Sequence, residues 1–273
     1  HATYQGTNYF PSYSKMPIVL TIHDLNFLQD DKKNTAKKQR YLSELQQKVN
    51  RANYITAISN YTLTQLLSYI DVANKPTKVI YNGCNINPMV ISKPQHIPKK
   101  PFLFTIGTIT DKKNFHVLPC LLVDNDLCLV IAGITQSEAY KKQIVDEAQK
   151  WHVADRVIFV GEISENDKQW YYQNCYAFVF PSLAEGFGLP VIEAMHFGTL
   201  TILSSLTSLP EIGGSAAYYF TSFEPDAMQE TLKKSCVHFY GNNIQKTLVQ
   251  QRSAEFTWHN AAQQYLEVYR TLY

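Results

Sequence analysis

The sequence predicts an α/β protein built from two consecutive parallel-sheet domains. Three observations carry this. Short continuous apolar runs recur along the chain, separated by polar stretches of helical length, as in strands buried on both faces of a parallel sheet. The alternation is interrupted once, over residues 84–101, where CNINPMVISKPQHIPKKP holds four prolines and little periodicity, as a linker would. The length, 273 residues, suits one large domain or two small ones, and 45% hydrophobic residues supply a core and exclude wholesale disorder. The boundaries follow: residues 1–97 for the first domain with its linker, 98–255 for the second, and 256–273 for a terminal helix.

Before the linker, PIVLTI (17–22) reads as a buried strand. Residues 35–52 place Tyr41, Leu42, Leu45, Val49 and Ala52 on one helical face. YITAI (54–58) is the next strand, Ser59 is set to cap a helix running to Tyr69, and KVIY (78–81) ends at the turn signal Asn82-Gly83. Beyond the linker, strands are expected at 102–107, 127–133, 156–161, 177–181, 199–204 and 216–220. Helices are expected near 114–123, 137–151, 165–173, 189–197, 225–238 and 258–271.

Composition narrows the function classes. A net charge of +2 gives no global argument for nucleic acid or an acidic membrane. No apolar run approaches the ~20 residues of a membrane span, and the N-terminus lacks the layout of a signal peptide. The five cysteines contain no C-x-x-C pair, which points to reduced thiols in a cytosol and against zinc. The chain begins at His1 rather than a methionine, as a processed, truncated or engineered piece would. The 18 Tyr and 14 Phe are read first as core packing, with carbohydrate stacking as the alternative.

In parallel sheets ligands bind beyond the carboxyl ends of the strands, so the residues that follow each strand are the informative ones. The first strand ends in His23-Asp24: polar chemistry in the expected place, or a loop and helix cap. After 102–107, Gly107 leads through Thr108 to Lys112-Lys113 and a helix start capped by Asn114; two ammonium groups at a helix N-terminus suit a diphosphate. A solvated loop is the plain alternative. Neither a P-loop nor a G-x-G-x-x-G is present. The strand at 177–181 leads into SLAEGFGLPVIEAM (182–195), where Gly186 and Gly188 allow close approach and unusual φ, and Pro190 suits a first helical turn. Glu185 precedes this anion cradle. Glu193 lies one turn inside the helix on a face that should be apolar, where a carboxylate needs a partner. A ribose diol could be that partner.

That last string resembles the E-x7-E signature of family 4 glycosyltransferases of the GT-B fold, mannosyltransferase-like branch. TIHDLNFL resembles the N-domain strand-end motif of that branch, ITAISNYTLTQLL the family's "Ser-x-x-Ser" helix, and KVIYNGCN its "IPNG" turn. FLFTIGTITDKKN resembles its donor-phosphate loop "GTLEPRKN", and FTWHNAAQQYLEVY its last helix. The likeness covers essentially the whole chain.

The resemblance implies two Rossmann-like domains, a nucleotide-sugar donor held mainly by the second, and retaining hexosyl transfer with no cofactor and no required metal. By residue, it implies that Glu193 binds the donor ribose and Glu185 contacts the donor sugar. The backbone of Gly186, Phe187, Gly188 and Leu189 would bind sugar and phosphate. Gly107, Lys112 and Lys113 would form the phosphate loop, with Lys113 neutralising the leaving diphosphate, and His23 would reach the donor sugar. The family loop usually carries Arg-Lys where this chain has Lys112-Lys113, so a guanidinium fork becomes a point charge. The resemblance also implies an incomplete first domain, with roughly 80–100 more residues ahead of His1 by domain-size norms.

The His-Asp motif leans by resemblance toward GDP-mannose; the acceptor is expected to be a glycan or lipid-linked glycan. Nucleic acid is not an expected partner. The basic segment Lys32, Lys33, Lys37, Lys38 and Arg40 is read as a solvated helix face, with peripheral contact at the inner membrane surface as the alternative. Two other readings stay open: a nucleotide-sugar epimerase on the same fold, and a nucleotide-sugar-binding fragment without turnover.

Overall fold

A computed structural model of the chain describes residues 1–6, 16–29, 33–86 and 93–272. Lys32 of the basic segment and residues 87–92 of the proline-rich stretch lie outside the described residues. The chain divides into two compact units. The first comprises His1–Asn85, Ala184–Phe187 and Phe256–Tyr273; the second comprises Ile86–Leu183 and Gly188–Glu255.

In the first unit, β1 (Val19–Ile22), β2 (Tyr54–Ala57) and β3 (Thr77–Val79) form a parallel sheet in that order, with Val19 opposite Tyr54 and Ile55 opposite Thr77. Successive strand side chains face opposite ways. Leu20, Ile22 and Ile55 therefore pack with Leu45 and Val49 of α1 (Thr35–Arg51) and Leu66 of α2 (Asn60–Tyr69). Val19 and Ile80 pack on the other face, against Ala261 and Val268 of the chain's last helix, Trp258–Arg270. Asn34 caps α1 through the Lys37 N–H, and Ser59 caps α2 through the Thr62 N–H at 3.0 Å, as the sequence predicts for Ser59.

The second unit holds six parallel strands: β4 (Phe102–Ile106), β5 (Cys128–Ala132), β6 (Val157–Gly161), β7 (Ala177–Phe180), β8 (Thr201–Ser204) and β9 (Tyr218–Phe220). Their spatial order is β6-β5-β4-β7-β8-β9. Counted within the unit this is 3-2-1-4-5-6, the doubly wound nucleotide-binding order, and the order reverses between β4 and β7. The helices are α3 (Glu138–Lys150), α4 (Glu165–Asn174), α5 (Leu189–His196), α6 (Leu209–Gly213), α7 (Pro225–Tyr240) and α8 (Gln245–Ala254); the last helix is α9. Aromatic side chains fill this core: Phe104 stacks on Tyr171 at 5.1 Å between ring centres, and Tyr172 meets Phe178 edge-on at 5.4 Å.

Two details depart from the sequence reading. The helix expected near 114–123 is a 3-10 helix, Phe115–Leu122, because Pro119 inside it has no N–H and obstructs α-helical bonding. Asn114 does not cap it: the residue sits at φ 57°, ψ 29°, left-handed, with no side-chain cap bond. An N-cap needs an extended backbone, whereas Asn tolerates the left-handed well, and here it joins two short 3-10 turns. Helices α6 and α8 are present beyond those the sequence predicts; the α8 sequence QKTLVQQRSA buries only Val249 and Ser253. Among the described residues, no helix is long and apolar enough to cross a membrane. The five cysteines form no disulfide; burial pushes the Cys120 thiol up to about 12 and raises Cys175 as well, so both remain thiols at neutral pH.

Candidate active site

In open parallel sheets ligands bind beyond the carboxyl ends of the strands where the order reverses, which here is between β4 and β7. The loops that leave those two strands carry the predicted phosphate lysines and the E-x7-E string. They are knitted together. The Leu183 N–H donates to the Lys112 carbonyl at 2.9 Å, and the Ser182 hydroxyl donates to the same oxygen at 3.3 Å. The Lys113 ammonium lies 4.9 Å from the centre of the Phe180 ring, the last residue of β7. Such a placement over an aromatic face attracts a cation through the ring's quadrupole and fixes where its charge sits. Gly107 explains how the lysine gets there. At φ +152° it has no side chain, and a Cβ there would stand 2.9 Å from Lys113 Cε, so the lysine stem uses the space a side chain would fill. Lys112 is exposed and Lys113 half-buried.

Gly188, at φ +114°, opens α5 in a conformation L-residues rarely adopt. Pro190 removes one N–H from the first turn, and the Val191 N–H bonds back to the Gly188 carbonyl at 2.9 Å. The positive end of α5 is thus offered to an anion through Gly188 and the exposed Leu189.

Glu193 is the fifth residue of α5. Its two oxygens are held by α4: Lys168 Nζ lies 2.8 Å from Oε1, and the Tyr172 hydroxyl donates to Oε2 at 2.9 Å. Lys168 also pairs with Glu165 at 2.9 Å. The Glu193 and Lys168 side chains are only 17% and 15% exposed. Burial alone would lower the Lys168 pKa, but hydrogen bonds and charge from Glu193, with Glu165, outweigh it and leave the ammonium raised above its usual value. An ionised carboxylate has about four acceptor sites, so both oxygens retain capacity for a diol. Neither Lys168 nor Tyr172 stands out in the sequence. The signal that could have found them is the i, i+3, i+7 stripe Glu165, Lys168, Tyr172 on α4, polar where a helix beside a sheet should be apolar.

In the first unit the structure brings His23, just past β1, together with the segment Ala184–Phe187. The His23 and Gly186 backbones approach so closely that a Cβ on Gly186 would lie 2.2 Å from the His23 carbonyl oxygen. Gly186 has no positive φ; its glycine serves close approach, unlike Gly188. Its carbonyl accepts from Ser59 Oγ at 2.7 Å and lies 3.3 Å from Thr62 Oγ1. Phe187, 4% exposed, packs with Tyr81 and Phe256. Glu185 is half-buried. The His23 imidazole donates from Nε2 to the Thr3 carbonyl at 2.7 Å, since a carbonyl can only accept. Asp24 caps the 3-10 turn Asn26–Gln29 through the Asn26 N–H at 2.9 Å. Among the described residues, no group of three or more His, Cys, Asp or Glu could hold a metal ion.

Comparison with known proteins identifies the family and the fold. Residues 2–87 match the family described as Glycosyltransferase Family 4. The serotype-specific mannosyltransferase WbdA of Escherichia coli is 28% identical over 254 residues, 86% of this chain; the chain spans only 31% of that protein's length. Sucrose-phosphate synthase from Thermosynechococcus elongatus has the same fold, with a TM-score of 0.79 at 22% identity, over 93% of this chain and 67% of that one. So does Anabaena HepE, solved in complex with UDP-glucose, with a TM-score of 0.77 at 18% identity, over 94% and 72%. The two parallel-sheet units are therefore of the GT-B kind that the sequence implied. With residues 90–235, more than half its length, matching the family described as Glycosyl transferases group 1, the chain belongs to that family.

Proposed function

We propose that the chain transfers a hexosyl group from a nucleoside-diphosphate sugar to a glycan or lipid-linked acceptor, with retention at the anomeric carbon and without a metal cofactor. The observation that supports this most directly is the pairing, at one end of one sheet, of a phosphate-type cation and a diol-type acceptor: Lys113 over the Phe180 ring, and Glu193 held by Lys168 and Tyr172. A sugar nucleotide presents a diphosphate and a ribose diol, which ask for those two groups. The donor favoured is GDP-mannose, on the strength of the His23-Asp24 motif and of WbdA being a mannosyltransferase. HepE, in complex with UDP-glucose, makes UDP-sugars the alternative.

In the reaction the bond from the anomeric carbon to the diphosphate oxygen breaks and a bond to the acceptor oxygen forms on the same face. The departing phosphate oxygen takes the acceptor proton. Negative charge grows on the leaving diphosphate, where Lys113 and the α5 N-terminus stabilise it. Charge set in place before the reaction needs no reorganisation as the bond breaks, which is why it lowers the barrier more than mobile water can. Positive charge grows on the sugar, where Glu185 would favour it.

Calorimetric titration with GDP-mannose, UDP-glucose, GDP and UDP tests the reading. One nucleotide family is expected to bind and its sugar to be transferred. Glu193→Ala is expected to weaken that binding about tenfold or more, the worth of hydrogen bonds to a charged group, with turnover at saturating donor retained. Glu185→Ala is expected to bind and not turn over. Failure of every nucleotide to bind would sink the proposal, and donor turnover with no acceptor would point to an epimerase.

A further inference from the structure

We propose that Lys168 is a positioning residue for the donor ribose, acting through Glu193: with the Tyr172 hydroxyl it holds the Glu193 carboxylate in one orientation for the diol. This rests on the reading of Glu193 as the ribose acceptor.

The geometry separates this pair from ordinary surface ion pairs. Lys168 sits in the first turns of α4 and Glu193 in the second turn of α5, so the contact joins two helices rather than two residues of one. Nζ to Oε1 is 2.8 Å with both side chains more than four-fifths buried. The second leg, to Glu165, lies within α4 and ends on a side chain 70% exposed, where such pairs contribute little. One oxygen of Glu193 is held by a charge and the other by a hydroxyl, so the carboxylate plane is fixed from two sides. Removing the ammonium takes the charged partner from a largely buried carboxylate, which would turn or recruit another donor. The ribose would then meet a misoriented acceptor. Nothing in this chain of effects reaches the diphosphate, whose cation, Lys113, sits over Phe180 on another loop.

The experiment uses the 273-residue chain and its variants Lys168→Met, Lys168→Arg, Tyr172→Phe, Glu165→Gln and Glu193→Ala, with GDP, UDP and inorganic pyrophosphate as probes in calorimetry, and donor KM and kcat measured in parallel. Lys168→Met is expected to weaken binding of the preferred nucleoside diphosphate about tenfold, the worth of a charged hydrogen bond. It should raise donor KM by the same factor, leave kcat within about twofold and leave pyrophosphate binding unchanged. Lys168→Arg should recover most of the loss, Glu165→Gln should bind like the wild type, and Lys168→Met should add nothing to Glu193→Ala.

The outcomes separate the two readings. Wild-type affinity in Lys168→Met beside a loss in Glu193→Ala overturns the role of Lys168 and leaves the ribose site standing. Additive losses in the double variant do the same. Wild-type affinity in Glu193→Ala removes the ribose site and this inference with it. If Lys168→Met does not fold, Tyr172→Phe carries the test, with a loss of about threefold expected for one neutral hydrogen bond; wild-type affinity there overturns the clamp.

Discussion

Lys113→Ala is expected to lower kcat/KM for the nucleotide sugar by about 10²–10³, the usual effect of removing one preorganised group that stabilises developing negative charge. The neighbouring Lys112→Ala should lose less than about tenfold, and the structure gives the reason. Lys112 contributes to the site through its main chain: its carbonyl takes the Leu183 N–H and the Ser182 hydroxyl, and alanine keeps that carbonyl. Its side chain is exposed, where a charge is screened by water. Lys113 is proposed to contribute through its ammonium. The stem runs across bare Gly107 and the charge rests over Phe180, at the end of the strand beside which the diphosphate would lie. Initial rates with saturating acceptor, measured for both variants at two salt concentrations, decide the matter. Equal losses for the two lysines would mean that the loop binds phosphate by diffuse charge and that the placement over Phe180 has no bearing on the reaction.

The fold was legible because a parallel sheet writes itself plainly. VLTI, CLVIA and AFVF are short, largely apolar runs of strand length, as strands covered on both faces give. A helix with a strong local start signal is legible too: Ser59 caps α2 in the structure as its place before the helix suggests, and Ser137 and Ser164 cap α3 and α4 in the same way. The misses share a cause. Helix α8 is short and polar and owes its place to packing on α5, which no local pattern records. The segment after Lys113 has the apolar content of a helix, but Pro119 tips it to 3-10 and Asn114 turns left-handed before it.

The site divided in the same way. Candidate residues near the loops that follow strands can be picked out from order along the chain, since the sheet fixes where those loops emerge: Gly107, Lys112, Lys113 and Gly188, with Glu193 a turn further on in α5. What holds them was not legible. The partners of Glu193 come from another helix, twenty or more residues upstream, and the partner of the Gly186 carbonyl is a serine whose visible duty is to cap α2. Spacing shows which groups are present; only tertiary contacts show which groups are constrained.

Gly186→Ala is expected to lose stability and turnover together. An added methyl would stand 2.2 Å from the His23 carbonyl oxygen and 2.9 Å from Asp24 Cβ, distances at which atoms must move apart. The obstacle is backbone, which cannot swing aside as a side chain can. Relief therefore requires Ala184–Phe187 to shift on the order of 1 Å, and three things resist. The Gly186 carbonyl is tied to Ser59, Thr62 lies beside it, and Phe187 is buried against Tyr81 and Phe256. Overpacking of this kind destabilises by about 1–3 kcal/mol, and a strained Ser59 bond adds about 1 kcal/mol. Glu185, proposed to act on the reacting sugar, is the adjacent residue, and a displacement near 1 Å of a reacting group can cost about 10²-fold in rate. Thermal melts and turnover well below the melting range keep the two effects apart. Gly188→Ala is the contrast: its difficulty is a φ of +114°, which no neighbour can relieve by moving, so a loss confined to the opening of α5 and to donor affinity is expected there. Wild-type melting and turnover in Gly186→Ala would show that His23 and Gly186 do not meet in the working protein, and Glu185 would then have no fixed place from which to act.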